Sequence, residues 1–246
     1  MGRAKEIIVK VIPSKIANEF VKKTHYSGKS CTTSTIHFGC FLDNKMHGVM
    51  SYGNPIDKSK VLPIVKPCLW NEMLELNRMA FDDYLPKYSE SRCISISIKL
   101  IKKNAPHIKW ILSYSDGTQC GDGTIYRASG FILTAVRSST SDLWKLPKHL
   151  QKYNDNKEVA HRMTCQGKTC ILGAWVLRKY GTNNVPLEKL KNENGGELLQ
   201  GFQLRYIYLI DKSCKITVPI LPFSEIDKQG AGMYKGEKIT VAERKE

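Results

Sequence analysis

Between residues 73 and 137 the chain alternates apolar runs with helical stretches, and no other feature restricts its fold so tightly. Residues 73–81, MLELNRMAF, form a mostly apolar run that suits a central strand covered on both faces. Ser89 or Ser91 caps a helix running to about residue 103, with Ile94, Ile98 and Ile101 at helical spacing. Asn104-Ala105-Pro106 ends it, because proline brings no backbone N–H. Residues 110–114 then read as a short buried strand and 115–123 as a polar, Gly-rich loop. Residues 124–129 read as a short helix, followed by Gly130-Phe131 and a strand at 132–137. Apolar faces in that order suit a sheet flanked by helices, and the fold class expected is α+β.

The flanks extend the same pattern. Residues 6–12 read as a strand, and Pro13-Ser14 opens a helix to about residue 23 with Ile16, Phe20 and Val21 on one side. His25-Tyr26-Ser27-Gly28-Lys29 is turn-like. Residues 36–42 and 46–52 make a hairpin around Asp43-Asn44, stopped by Tyr52-Gly53-Asn54-Pro55, and residues 63–67 are irregular. Residues 145–201 are more polar and helical in parts, notably near 187–191, and 205–210 form a last strand. The expectation is one domain over residues 1–222 with a polar helical insertion around 145–201, and a flexible tail at 223–246 rich in glycine.

Charge narrows the partners. Lys and Arg number 38 against 23 Asp and Glu, a net +15 spread through segments that otherwise read as folded. A field of that sign draws polyanions, and nucleic acid is the default partner. No run approaches the ~20 apolar residues of a membrane helix, and the first residues lack the apolar stretch of a secretory signal, so a soluble intracellular protein is expected. The eight cysteines are irregularly spaced, with no Cys-x-x-Cys pair, and are expected to be reduced. Cys165 and Cys170 could form half of a metal knuckle, with His161 the only nearby further ligand. There is no GxGxxG or GK[ST] phosphate loop, which argues against a dinucleotide fold or a P-loop ATPase.

The segment order from Glu75 to Arg137 resembles the core half of the GNAT acyltransferase superfamily. That resemblance implies a mixed, mostly antiparallel sheet whose middle strands splay apart, with the donor in the gap. It also implies a helix N-terminus, here Tyr88-Ser89-Glu90-Ser91-Arg92, turned toward the donor's anionic part. Tyr126, four residues before Gly130, takes the place of a tyrosine that protonates a thiolate leaving group. The motifs Glu75-Leu76-Asn77-Arg78-Met79, Ser89-Glu90-Ser91-Arg92, Ser113-Tyr114-Ser115-Asp116 and Gly123-Thr124-Ile125-Tyr126-Arg127-Ala128 occur together in this order. With them the chain resembles the bacteriophage Mom family over most of residues 20–215. Residues 25–28, 48–55 and 206–211 also fit. The resemblance implies transfer of a methylcarbamoyl group to adenine in double-stranded DNA, shielding phage DNA from restriction inside the bacterial host cytoplasm. The chain departs from the two patterns at two places. No Gln/Arg-x-x-Gly-x-Gly/Ala phosphate loop lies between Asp82 and Arg92, and Cys120-Gly121-Asp122 stands where the Mom-like pattern has a histidine.

Chemistry assigns candidate roles. An adenine amino group is a poor nucleophile, so it needs a base nearby once the nucleotide is flipped out. Asp116 is the candidate for that contact and Tyr126 for the general acid; Tyr52 and Tyr114 are candidates for stacking on the base. Asn77, Arg78, Ser91 and Arg92 are candidates for holding the donor, an acetyl-CoA-like thioester or another activated amino-acyl species. The sequence does not decide whether iron or another metal takes part; His47 and His25 are the weak ligand candidates. Two alternatives stand beside this reading: a GNAT-type acetyltransferase acting on protein, RNA or a small amine, and a non-catalytic basic DNA-binding module.

Overall fold

The computed structural model describes residues 2–25, 27–117, 122–167, 170–230, 233–234 and 237–238. The chain divides into two compact units, one of residues 1–115, 122–136 and 204–228, the other of residues 116–121, 137–203 and 229–246. In chain order the first unit contains β1 (Ile8–Val11), α1 (Ser14–Thr24), β2 (Ser34–Leu42), β3 (Lys45–Gly53), α2 (Lys58–Val61), β4 (Val65–Lys66), β5 (Met73–Phe81), α3 (Ser89–Asn104), β6 (Trp110–Asp116, its last residue assigned to the second unit) and α4 (Thr124–Ala128). Two long strands belong partly to each unit: β7 (Ile132–Lys145) and, after the short β8 (Val159–His161), β9 (Glu197–Leu209).

The strand order through the first unit is β1-β2-β3-β5-β6-β9-β7. The pairs β1–β2, β2–β3 and β3–β5 are antiparallel, whereas β5–β6 is parallel. The hairpin forms where its turn chemistry places it: Asp43 and Asn44 both have positive φ, at 50° and 61°, as a two-residue turn matched to strand twist requires. The sheet is mixed, mostly antiparallel and flanked by helices, the α+β class expected.

Helices cover both faces. On β3, Val49 joins a cluster with Ala17 and Val21 of α1 and Ala80 of β5. Tyr52, of opposite parity and so on the other face, bonds its hydroxyl to Ser97 of α3 at 2.6 Å. The apolar stripe of α3 is as the spacing predicts, with Cys93, Ile94, Ile98 and Ile101 buried. Burial of one such isoleucine contributes about 1.5–3 kcal/mol. A further cluster joins Met73, Trp110, Leu112 and Ile207 to Val61, Ile64 and Val65.

One irregularity organises the middle of this sheet. Ser51 pairs with Arg78 and Tyr52 with Leu76, so β5 carries one extra residue, Asn77. This is a β-bulge, which bends the strand and re-aims its side chains. The parallel ladder to β6 runs from Met73↔Trp110 to Leu76↔Ser113. It ends at the bulge, while β5 continues to Phe81 and β6 to Asp116. These are the splayed middle strands expected from the acyltransferase resemblance.

The second unit departs from the sequence reading. The polar stretch holds α5 (Lys148–Gln151), α6 (Arg162–Cys165), α7 (Ile171–Tyr180) and α8 (Leu187–Asn194). It has its own core of Trp144, Leu146, Leu150, Leu172, Val176, Val185, Leu187 and Leu190. Strand β7 runs on to Lys145 rather than stopping at residue 137, because Leu143, Trp144 and Lys145 pair with β8. Local polarity concealed a strand that a distant partner stabilises. Cys165 is fully buried, and the Cys170 thiol donates to the Thr164 carbonyl at 2.7 Å. Residues 231–232, 235–236 and 239–246, part of the expected tail, lie outside the described residues.

Candidate active site

Asn77 is the centre of a polar cluster in the first unit. It is 8% exposed. Its Oδ1 accepts from the Ser34 hydroxyl at 3.0 Å, and its Nδ2 donates to the Asn54 carbonyl at 3.4 Å. The Asn54 Oδ1 in turn accepts from the Lys58 ammonium at 2.7 Å. Lys58 is 6% exposed, and burial lowers its pKa. Arg78 donates from Nη1 to the Asn77 carbonyl at 2.6 Å and from Nε to the Lys29 carbonyl at 3.0 Å. Three motifs far apart in sequence, residues 25–29, 52–55 and 75–79, therefore meet at the bulge. Gly53 permits the meeting: a Cβ there would lie 2.0 Å from the Thr33 carbonyl oxygen.

Beside Asn77 stands Glu75. Burial pushes its carboxyl up to about 7, against the opposing pull of the Asn77 hydrogen bond and the Arg78 charge. A carboxyl poised near neutrality can take a proton and give it back, the requirement for a general base. The motifs place Glu75 in the run 75–79 but assign it no chemical role. The signal that would have found it is an acid inside an otherwise apolar central strand, where an unpaired charge is costly.

The expected donor side lies at the end of β5 and the start of α3. The Ser91 hydroxyl donates to the Tyr88 carbonyl at 3.2 Å and that of Ser89 to the Pro86 carbonyl at 2.5 Å. Both hydroxyls are thus turned onto their own backbone. Arg92 donates from Nη2 to the Lys5 carbonyl at 3.2 Å, and its buried Nε has no hydrogen-bond partner. Ser91 and Arg92 are therefore not brought to the Asn77–Arg78 cluster by any of these bonds.

On the face covered by α3 and α4, Tyr126 is 5% exposed and stacks on Tyr206 at 5.0 Å, with Phe131 edge-on at 5.4 Å. Gly123 has φ of +71°, and a Cβ there would meet the Tyr206 ring. This glycine supplies both a left-handed turn and room for a neighbouring ring. Tyr52 has no exposed surface, with Phe38 edge-on at 5.9 Å and Ser97 on its hydroxyl. A base-stacking role does not fit that burial: both ring faces are occupied by core. Tyr114 is half-buried against the Trp110 cluster. Asp116, half-buried, is the last residue of β6; residues 118–121, including Cys120, lie outside the described residues.

The two candidate ligand histidines, His25 and His47, each bond to a side chain. His25 Nδ1 lies 2.8 Å from the Ser27 hydroxyl and shapes its own turn. His47 is 8% exposed, with Nδ1 2.9 Å from Asp82 Oδ2 and its ring stacked on Tyr84 at 4.2 Å. Its Nε2 is buried without a partner. Among the described residues, no three His, Cys, Asp or Glu side chains are grouped to hold a metal ion. No described helix is long and apolar enough to cross a membrane.

Comparison with known proteins places this arrangement. Methylcarbamoylase mom of Escherichia phage Mu is 32% identical over 138 residues, which is 56% of this chain and 57% of that protein. The matched stretch thus spans little more than half of that relative. Among solved structures, the ribosomal-protein-S18-alanine N-acetyltransferase from Escherichia coli superposes with a TM-score of 0.43 at 10% identity, over 83% of this chain and 94% of that one. A Bacillus subtilis acetyltransferase in complex with CoA gives 0.41 at 11% identity, over 81% and 97%. Superpositions this loose add nothing to what the bulge and the splayed strands already say. The Mom protein family model matches residues 6–225, nearly the whole chain, and the chain belongs to that family.

Proposed function

We propose that this protein transfers a methylcarbamoyl group to the exocyclic amine of adenine in double-stranded DNA, within the bacterial host, so that phage DNA escapes restriction. Family membership over residues 6–225 is the observation that carries the reading, and the chain's net charge of +15 suits a DNA substrate. The adenine would have to leave the duplex for its amine to be reached.

Transfer forms a bond at the exocyclic nitrogen and releases one of its protons. Glu75, a carboxyl held near neutrality beside Asn77 and Arg78, is the side chain best prepared to take that proton. Asp116 is the second acceptor, and the Tyr126 hydroxyl would return a proton to the leaving group. Asn77 and Arg78 orient Glu75. The donor is an activated small molecule, a coenzyme A-type thioester or another activated amino-acyl species. Residues 82–92 lack the glycine pattern that wraps the coenzyme A diphosphate and turn the Ser89 and Ser91 hydroxyls onto carbonyls. Residues 82–92 therefore form no glycine-loop cradle for that group, and the α3 N-terminus is left to meet the donor's anionic part.

The test is the mass of nucleosides from plasmid DNA after expression of the chain. An adenine nucleoside heavier by one methylcarbamoyl unit is expected. Unmodified DNA together with acetylated protein or amines would move the assignment to the acetyltransferase alternative. DNA affinity should also fall steeply with added salt; a flat salt profile would remove DNA as the substrate.

A further inference from the structure

Two loops of the first unit present apolar side chains to solvent next to the Asn77 cluster. Ile56 is 91% exposed, Leu69 67% and Trp70 60%. The Lys58 ammonium, which also holds Asn54, lies 4.6 Å from the centroid of the Trp70 ring. A side chain 6% exposed thus lies against one of the most exposed aromatic rings of the molecule.

The exposure of Trp70 is not that of a slack loop. The Leu69 N–H donates to Glu72 Oε2 at 2.6 Å, and the Glu72 N–H donates back to the Leu69 carbonyl at 3.1 Å. Glu72 is paired with Lys109 at 2.9 Å. One step earlier, the fully buried Trp110 donates its indole N–H to Cys68 Sγ at 3.0 Å. The turn is fastened on both sides of Trp70, and its tip points two large apolar side chains at water. Leaving a tryptophan exposed forgoes burial that would contribute a large share of a domain's stability margin. Apolar side chains grouped at the surface, as Ile56, Leu69 and Trp70 are on these two loops, mark interaction sites where they form one patch.

Chemistry selects the occupant. Residues 54–72 carry Lys58, Lys60 and Lys66 against Asp57 and Glu72. Both acids are paired, with Lys60 at 2.6 Å and Lys109 at 2.9 Å. Those pairs cancel Lys60 and Lys109, and Lys58 and Lys66 leave the surround with a net positive charge, which suits a phosphate backbone. Three apolar side chains are far fewer than the roughly 20–30 residues a side of a stable protein interface. An open indole face of this size matches one nucleobase.

We propose that Trp70, seated on Lys58 at the tip of this turn, is the platform on which a nucleobase of DNA stacks beside the Asn77 cluster. Trp70 and Lys58 bind and position. The hydrogen bonds Lys58–Asn54–Asn77 connect the platform to the cluster that orients Glu75, so seating a base and arranging the acid–base group are parts of one network. This inference deepens the adenine-modification reading and rests on it.

The experiment separates the two. The full chain, Trp70→Ala and Trp70→Phe are titrated with a short single-stranded oligonucleotide and, separately, with inorganic polyphosphate, following tryptophan fluorescence. Trp110 and Trp144 are fully buried and Trp175 partly so, which leaves Trp70 as the ring most open to quenching. The oligonucleotide should quench the wild type and polyphosphate should not. Trp70→Ala should lose the quench and bind the oligonucleotide about tenfold more weakly with an unchanged salt slope, while Trp70→Phe keeps most of the affinity. Equal oligonucleotide affinity in wild type and Trp70→Ala would overturn the proposal. So would a dimer in sedimentation that Trp70→Ala abolishes, because a second copy would then own the tip. Quenching by the wild type with no altered nucleoside in plasmid DNA would instead sink the adenine reading and leave the platform standing.

Discussion

Around Asn77 the first unit is held by hydrogen bonds from polar side chains to one another and to backbone carbonyls; around Tyr126 it is held ring on ring. Ser34 and Asn54 bond to Asn77, Lys58 bonds to Asn54, and Asn77 and Arg78 act on the Glu75 carboxyl that burial holds near neutrality. The Tyr126 cluster is a stack in which Tyr206 lies on the Tyr126 ring and Phe131 meets it edge-on. The difference lies in what each region can do when protonation changes. A buried polar network responds to a proton, whereas a packed aromatic stack responds mainly to lost volume.

Substitutions at four positions press on that contrast. The largest effect is expected from Glu75→Gln, which keeps shape and removes the base. Nucleoside modification should fall at least about 100-fold, and the wild-type rate should rise with pH through about 7 and then level off. Stability should move the other way. The folded carboxyl titrates above its unfolded value, so its contribution is complete below about 4.5 and is lost as pH rises through about 7. Glu75→Gln should therefore unfold at higher temperature than wild type at pH 8, by the equivalent of about 3 kcal/mol. A variant with normal activity would take Glu75 out of the chemistry.

Asn77→Asp comes next. A second carboxyl beside Glu75 replaces a donor with a like charge, so the midpoint of the pH–rate profile should move to higher pH and the neutral-pH rate drop about tenfold. An unmoved profile would separate Asn77 from Glu75. In the aromatic cluster, Tyr126→Ala should cost about 3–5 kcal/mol in denaturant unfolding. Tyr126→Phe should keep stability within about 1 kcal/mol and slow transfer several-fold if the hydroxyl serves as acid; an unchanged rate would make Tyr126 a packing residue alone. The smallest effect is expected at Tyr52→Phe, which removes the 2.6 Å bond to Ser97. It should lower stability by about 1 kcal/mol and leave oligonucleotide affinity unaltered; weakened binding would return Tyr52 to the stacking surface.

Much of this was legible in the residues, and the reasons are local. The strand at Met73–Phe81, the helix at Ser89–Asn104 and the hairpin at Asp43-Asn44 follow from apolar runs, helical spacing and turn chemistry. Stacking by Tyr52 was not a safe inference, because an aromatic beside a strand end carries no mark of which face it joins. The second unit shows the same limit. The strand reads as ending at residue 137, and pairing of Leu143, Trp144 and Lys145 with β8 carries it on to Lys145.

The sequence by itself determined the order of elements, the excess of positive charge and the motifs that mark the family, since each depends on neighbours in the chain or on composition. Tertiary structure alone decided that β5 bulges at Asn77, that residues 25–29 and 52–55 close on it, and that Glu75 is desolvated enough to sit near neutrality. A bulge is a register relation between two strands, and a shifted pKa is a property of surroundings. Neither exists until residues distant in sequence come into contact.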